Sequence, residues 1–266
     1  MVLCYDVTEY NLINIIPSLM TKLPNALTKL DLYGGEYYDL SLLFIINFKT
    51  LHELWLSFDY EEGFKDFEKL QYAIFPQLQI LIIKNAYPRV GLLIKFLEIN
   101  GRNLKELYLG DIVGDSDDSL NLAIAKFCTN LRKLSTGFKN NELETLKIVL
   151  GGCQYLESIK IWCGNEFLSE KEALEAVAKY SHKNFSELIL YHLYSVQFKL
   201  LPEEFESFFI SWTNRIPQKS ISMMIAKCNN GSLDTNDENM KIIKKYTELG
   251  IIKKFKVTRL SDDEFN

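Results

Sequence analysis

The residues that could carry acid–base, nucleophilic or metal chemistry are few and scattered. The three histidines, His52, His182 and His192, occur in no H-E-x-x-H string and have no cysteine at zinc-ligand spacing, so the sequence predicts no metal site. His52 and His192 flank predicted strands and are expected to be surface or turn residues. No G-x-S-x-G, G-x-x-x-x-G-K-[ST] or G-x-G-x-x-G string occurs, so the common hydrolase, phosphate-loop and dinucleotide signatures are missing. We therefore expect a protein that is not an enzyme and needs no cofactor.

An acidic cluster, Asp115, Asp117 and Asp118 beside Gly114, has the composition of a cation-binding loop. It lacks a glutamate at the distance that supplies the bidentate ligand of such loops. An aspartate just before an apolar helical segment is also a common helix N-cap. The spacing favours a turn that caps the next helix.

Charge, cysteine usage and hydropathy limit where the protein works and what it binds. The net charge is −5, which argues against nucleic acid as the partner. The five cysteines are odd in number and form no C-x-x-C pair, which is typical of reduced, buried thiols in a cytoplasmic or nuclear protein. No stretch of 18 apolar residues and no signal-peptide pattern occurs, so we expect no membrane contact.

A repeated apolar frame organises the chain. The pattern apolar-x-x-apolar-x-apolar recurs nine times, and the first five spacings between copies are 24, 27, 26, 27 and 25 residues. Such spacing is typical of leucine-rich repeats. The copies begin at Leu27, Leu51, Leu78, Leu104, Leu131, Leu156, Phe185, Ile221 and Ile252, the eighth being Ile221-Met224-Ala226 and the ninth Ile252-Phe255-Val257.

The segments between copies have helical periodicity. Val90, Leu93, Ile94 and Leu97 share one helix face, and similar faces begin at Leu120, Leu143 and Phe205. Ser169 and Pro202 mark helix starts, whereas Gly101, Gly151 and Gly152 suggest left-handed helix ends. A strand followed by a helix that returns the chain makes every strand parallel.

The predicted fold class is therefore α/β, a leucine-rich-repeat solenoid of about nine repeats. We expect a curved horseshoe with parallel strands on the concave face and helices on the convex face. The predicted organisation is an N-terminal helical cap at 1–26 containing Leu12, Ile13, Ile16 and Leu19, leucine-rich repeats at 27–257, and an acidic tail at 258–266. The usual turn asparagine is missing, so backbone groups and water must satisfy the turns.

Two joints between repeats carry a family resemblance. In the strings CTNLRKL (128–134) and GCQYLESI (152–159), a cysteine precedes the first apolar strand residue by three positions. This joint resembles the cysteine-containing repeats of F-box leucine-rich-repeat proteins, and the chain from about 25 to 257 is similar to the repeat half of the expanded fungal F-box-like families. The resemblance implies a substrate-recognition part of a ubiquitin ligase, with a separate F-box that binds the ligase adaptor.

The F-box itself is not found in this sequence. Its usual L-P-x-E opening occurs once, at Leu201-Pro202-Glu203-Glu204, where a helix start with proline in its first turn is the better interpretation. An adaptor contact is therefore expected only if an F-box precedes this chain. The alternative function is a scaffold or inhibitor that binds a partner protein independently of ubiquitin ligases.

Strand alternation predicts the binding face. In L-x-x-L-x-L-x, the third, fifth and seventh residues point away from the core. Large apolar residues at such positions indicate a partner surface, because tryptophan and tyrosine dominate interface hot spots. The predicted partner-binding residues are Tyr33, Trp55, Ile82, Tyr108, Trp162, Ile189 and Tyr191.

A late basic cluster stands apart from the acidic chain. It comprises Lys244, Lys245, Lys253, Lys254 and Lys256. The simpler interpretation is a polar end that keeps the last repeat soluble. The alternative is a site for nucleic acid or for an acidic partner.

Overall fold

The computed structural model describes residues 2–6, 26–34, 41–110, 117–192, 200–217, 219–227 and 233–259, with residues 2–6 described by their backbone alone. The chain forms two compact units, Met1–Leu131 and Arg132–Asn266. No helix among the described residues is long and apolar enough to cross a membrane.

The first unit alternates strands and helices. Its strands lie side by side in chain order, each parallel to the next. They are β1 Val2–Asp6, β2 Lys29–Gly34, β3 Glu53–Phe58, β4 Ile80–Asn85 and β5 Glu106–Leu109. The helices are α1 Phe67–Leu70, α2 Val90–Asn100 and α3 Asp118–Phe127, with short 3-10 turns at Leu42–Asn47, Glu61–Phe64 and Gly101–Asn103.

The second unit repeats the same alternation, again with parallel neighbours in chain order. Its strands are β6 Lys133–Thr136, β7 Ser158–Trp162, β8 Glu187–His192, β9 Ile221–Lys227 and β10 Ile252–Arg259. Its helices are α4 Leu143–Gly152, α5 Glu170–Tyr180, α6 Pro202–Thr213 and α7 Asp237–Glu248, with a 3-10 turn at Leu233–Thr235.

The core lies between the strands and the helices, as β3 illustrates. Leu54, Leu56 and Phe58 are at most 1% exposed, while Trp55 and Ser57 between them are half-buried. This period of two follows from the pleat, which sends successive side chains to opposite faces. Aromatic rings extend the core to the helices, for example Phe58 to Phe64 at 5.0 Å between centroids.

The strand register confirms the predicted frame in the first seven copies and differs from it in the eighth. Leu54 pairs with Leu30 and Leu81, but Leu188 pairs with Met223 and not with Met224. The predicted frame of this copy is therefore wrong by one residue. Nearly every residue from Ile221 to Ala226 is apolar, so the pattern alone could not decide which residues face the core. The ninth copy is in frame again, because Phe255 pairs with Met223.

The ends of the chain differ from the predicted organisation. Residues 2–6 form β1, parallel to β2, where the sequence predicts a helical cap. Leu12, Ile13, Ile16 and Leu19 lie outside the described residues. At the other end β10 extends through Thr258 to Arg259, so the predicted tail begins inside a strand. Residues 260–266 lie outside the described part.

Several helix starts follow the predicted signals. The Ser169 hydroxyl accepts from the N–H of Glu172 at 3.2 Å, and the Glu172 carboxylate accepts from the N–H of Ser169 at 2.9 Å, which forms a capping box. Pro202 occupies the first turn of α6, which supports the helix-start interpretation of the Leu-Pro-Glu-Glu string. Asp117 caps α3 by accepting from the N–H of Leu120 at 3.0 Å.

The predicted left-handed glycine helix ends are wrong. Gly101 has φ −59°, and Gly151 and Gly152 lie inside α4. The glycine at position 101 is explained instead by its close contact with Cys128, because a Cβ at this position would lie 2.8 Å from Cys128 Sγ. The helices α3 and α4 end at Cys128 and Cys153, both fully buried.

Candidate partner-binding face

The first unit brings Trp55, Ile82 and Tyr108 into one row. The strand register pairs Trp55 with Ile82 and Ile82 with Tyr108, while Asp31 lies beside Trp55 on β2. Neighbouring strands are about 4.8 Å apart, so these side chains are adjacent. All four are half-buried and lie on the strand face opposite the leucine core. We call Trp55, Ile82 and Tyr108 the aromatic row.

Two lysines contact the indole of Trp55. The Lys29 ammonium lies 3.9 Å from the ring centroid and that of Lys84 lies 5.2 Å from it. Lys29 also forms an ion pair with Glu53 at 3.3 Å. These contacts hold the ring at the surface, because ammonium groups are attracted to the indole face. The indole Nε1 is buried and has no hydrogen-bond partner among the residues that the structure describes.

The sequence interpretation missed Lys29 and Lys84. Both occupy outward positions, the third and seventh of their repeats, so the strand alternation contained the signal. The alternation does not show which residues lie beside these two lysines, because that depends on the register between strands. The same two lysines act on Asp31. Burial raises the pKa of the Asp31 carboxyl above its ordinary value, and the charges of Lys29 and Lys84 oppose this shift.

The row continues toward the carboxyl ends of the strands. Tyr33, 41% exposed, lies beside Ser57 in the register. Asn85 follows in a left-handed conformation, with φ 68°, and its side-chain amide donates to Asp59 Oδ1 at 3.2 Å. Asparagine tolerates this conformation better than most residues. This end of the row combines an exposed phenol ring with a hydrogen-bonded polar border.

In the second unit, two predicted partner-binding residues are buried. Trp162 is 1% exposed and Tyr191 is 7% exposed, and they belong to a cluster with Phe167 and Ala226. The predicted exposure of both residues is therefore wrong. The loop after β7 folds back, with the N–H of Leu168 donating to the Phe138 carbonyl at 3.0 Å. Phe167 on this loop joins the cluster on the outward face.

Ile189 remains accessible in the second unit. It is half-buried between Lys160 and Met224 in the register. The predicted outward neighbour on β9 was Ile225, but the corrected frame places Ile225 in the core, where its exposed fraction is 0%. Lys160 also lies 4.3 Å from the Tyr191 ring centroid. Ile189 therefore has a lysine and a methionine beside it in the register, and neither of these neighbours is aromatic.

A buried polar cluster lies on the core side of β8. The side chains of His192 and Glu170 are 2% and 1% exposed, and His192 Nε2 lies 3.1 Å from Glu170 Oε1. The expected surface position of His192 is wrong. Glu170 Oε1 also accepts from the N–H of Leu233 at 3.1 Å. Glu170 therefore connects the start of α5 with β8 and with the turn before α7.

Two cysteine thiols of the second unit, Cys153 and Cys163, lie in surroundings that disfavour the thiolate. Burial raises the pKa of Cys153 to about 12. Burial first, and then the charges of Glu170 and Glu172, raise the pKa of Cys163 well above its ordinary value. The thiolate is the reactive form of cysteine, so both groups are poor nucleophiles. Among the described residues, no group of three or more histidine, cysteine or acidic side chains could hold a metal ion.

Comparison with known proteins settles the fold. No protein-family model matches this sequence, and no curated protein matches it. Among solved structures, the chain is similar to the leucine-rich-repeat-containing protein LegL7 from Legionella pneumophila, with a TM-score of 0.54 and 12% identity over 99% of this chain and 93% of that one. The fold is a leucine-rich-repeat solenoid. At this level of identity the likeness concerns the fold alone.

Proposed function

We propose that this leucine-rich-repeat chain is a protein-recognition module whose partner binds the aromatic row of the first unit. The fold is typically a binding scaffold rather than an enzyme. The observation that supports this location is the accessibility of Trp55, Ile82 and Tyr108 on three adjacent strands, next to charged Lys29, Lys84 and Asp31. Apolar anchors bordered by polar groups are typical of interface hot spots.

Photo-crosslinking tests this location. A photoreactive amino acid at Ile82 should crosslink to a defined partner protein in extracts of the source cell. The matched control is the same group at Leu122, which lies on α3 of the same unit and is 38% exposed. A partner captured equally from both positions, or only from Leu122, would show that the aromatic row is not the interface.

We further propose that the recognised protein is a ubiquitin-ligase substrate. The cysteine joints support this part. Cys128 and Cys153 are fully buried where α3 and α4 end, and their carbonyls accept from the N–H groups of Leu131 at 3.2 Å and Leu156 at 3.0 Å. The ligase part of the proposal rests on the resemblance of these joints to the cysteine-containing repeats of F-box proteins.

Purification of the full gene product from its own cell tests the ligase part separately. An adaptor and a cullin should co-purify in stoichiometric amounts. A crosslinked partner without either subunit would instead favour the alternative, a scaffold or inhibitor that acts through the same surface.

A further inference from the structure

The last strand of the second unit presents a sheet edge. β10 pairs with β9 along one side, and no strand among the described residues lies along its other side. The strand has eight residues, Ile252–Arg259. An edge strand offers a row of N–H and C=O groups to which an extended chain can pair. The side chains along this edge therefore decide which chain it accepts.

This edge is strongly basic. Lys253, Lys254, Lys256 and Arg259 are all exposed, and none of their side chains forms an ion pair with a described residue. By contrast, two lysines of the neighbouring helix α7 form ion pairs, Lys241 with Glu238 and Lys245 with Glu206. The chain as a whole carries −5, so the positive charge is a local feature of β10. The charge and the edge together favour an acidic partner.

A depression adjoins the start of β10. Its volume is about 490 Å³, and Ser158, Glu187, Ser222 and Lys253 are among its lining residues. Further lining residues are Lys133, Glu157, Ser186, Lys219 and Ser220. Hydroxyl and ammonium groups predominate, and both donate hydrogen bonds to carboxylates.

The two carboxylates in this depression are already engaged. Glu157 accepts from Arg132 Nη1 at 2.9 Å, and Glu187 accepts from the Ser158 hydroxyl at 2.6 Å. Lys219 and Lys253, in contrast, have no ion-pair partner among the described residues. The depression can therefore receive additional negative charge.

Other occupants fit this surface less well. A second copy of β10 pairing edge to edge would place lysines opposite lysines, and like charges on adjacent strands are destabilising. The lining residues of the depression include no aromatic or arginine side chain on which a base could stack. Lys254 and Lys256 are two residues apart and therefore share a face of the sheet. A peptide with a carboxylate at every second position matches this spacing.

We propose that the β10 edge and the adjoining depression bind an acidic segment of a partner polypeptide, which adds to the sheet as an extended strand. This site lies in the second unit and is independent of the aromatic row. The strand hydrogen bonds supply the alignment, and Lys254 and Lys256 select carboxylates. Lys219 and Lys253 hold an acidic side chain at the end of the segment.

Fluorescence anisotropy with the full chain tests the proposal. The probe is a labelled ten-residue peptide of alternating threonine and glutamate, and threonine at the remaining positions favours the extended conformation. Binding should weaken with added salt, as expected for charge attraction. A peptide of alternating proline and glutamate has the same charge but lacks half of the N–H donors, and it should bind at least about 10-fold more weakly.

Two charge-reversal variants separate a local site from overall charge. Lys253→Glu with Lys254→Glu and Lys256→Glu should weaken binding by at least about 10-fold. The control reverses three exposed lysines elsewhere in the same unit and changes the net charge equally. Its substitutions are Lys179→Glu, Lys183→Glu and Lys244→Glu. It should stay within about threefold of the unaltered protein, since these lysines lie off the edge. Circular dichroism must show both variants folded.

Several results would overturn the proposal. They are equal losses in the two triple variants, equal binding of the proline peptide, or no binding of the threonine–glutamate peptide at low salt. Tighter binding of a single-stranded oligonucleotide of the same charge would identify nucleic acid as the ligand and would also overturn it.

Discussion

The buried pair of His192 and Glu170 allows a quantitative prediction about stability. The Glu170 side chain is 1% exposed; its Oε1 lies 3.1 Å from His192 Nε2 and accepts from the N–H of Leu233 at 3.1 Å. His192→Ala removes the imidazole and leaves the Glu170 carboxyl buried. Loss of a polar neighbour from a buried polar group costs about 1–3 kcal/mol, so we expect a loss of this size in the free energy of unfolding.

The same pair predicts a characteristic non-additivity. The double variant His192→Leu with Glu170→Met removes both polar side chains and substitutes apolar volume, which is often close to neutral for stability. It should therefore be more stable than His192→Ala. Glu238→Gln is the surface control, since its ion pair with Lys241 is exposed and screened by solvent and should contribute little to stability.

Urea unfolding followed by circular dichroism measures all three variants. A loss below about 1 kcal/mol for His192→Ala, or a double variant less stable than the single one, would refute the assignment of a stabilising polar contact to this pair.

Three further predictions concern packing, capping and thiol chemistry. Gly101→Ala places a methyl group 2.8 Å from Cys128 Sγ and should lower the free energy of unfolding by about 1–3 kcal/mol. A Cβ at Gly91 would meet nothing within 4 Å, so Gly91→Ala should raise the free energy of unfolding by about 0.5–1 kcal/mol. The same urea titration measures both variants. Ser169→Ala removes the capping box of α5 and should cost about 1 kcal/mol, and an unchanged midpoint would contradict this. Because burial raises the pKa of Cys153 to about 12, its alkylation at pH 8.5, followed by peptide mass spectrometry, should be at least about 100-fold slower in the folded protein than in urea.

The repeat architecture could be predicted because it follows from a covalent argument. A leucine frame at nearly constant spacing, with a helix returning the chain each time, requires parallel strands, and nine of the ten strands coincide with predicted copies. The prediction was wrong where local pattern is ambiguous, as around Met223 and Met224. There, almost every side chain is apolar, and the register with β8 decides which of them faces the core.

The candidate site was harder to predict, for a different physical reason. Alternation gives the face on which a side chain lies but not whether another segment covers that face. Trp55 and Trp162 occupy comparable outward positions, yet Phe167 from a following loop packs in the cluster with Trp162. Likewise, Glu170 and His192 belong to different elements and meet only in the folded chain.

The most direct test of the binding face compares the stability of the variants Trp55→Ala and Leu54→Ala and then measures how tightly the crosslinked partner binds Trp55→Ala. Trp55 contacts two lysines at the surface, so its removal should cost only about 1–2 kcal/mol of unfolding free energy. Leu54 is 1% exposed, so Leu54→Ala should lower the free energy of unfolding by about 2–5 kcal/mol.

Isothermal titration with the partner then decides the matter. We predict that Trp55→Ala raises the Kd at least about 30-fold, the size of a hot-spot loss of 2 kcal/mol. A Kd within about twofold of the unaltered protein, with the variant folded, would contradict the assignment of the partner to this row.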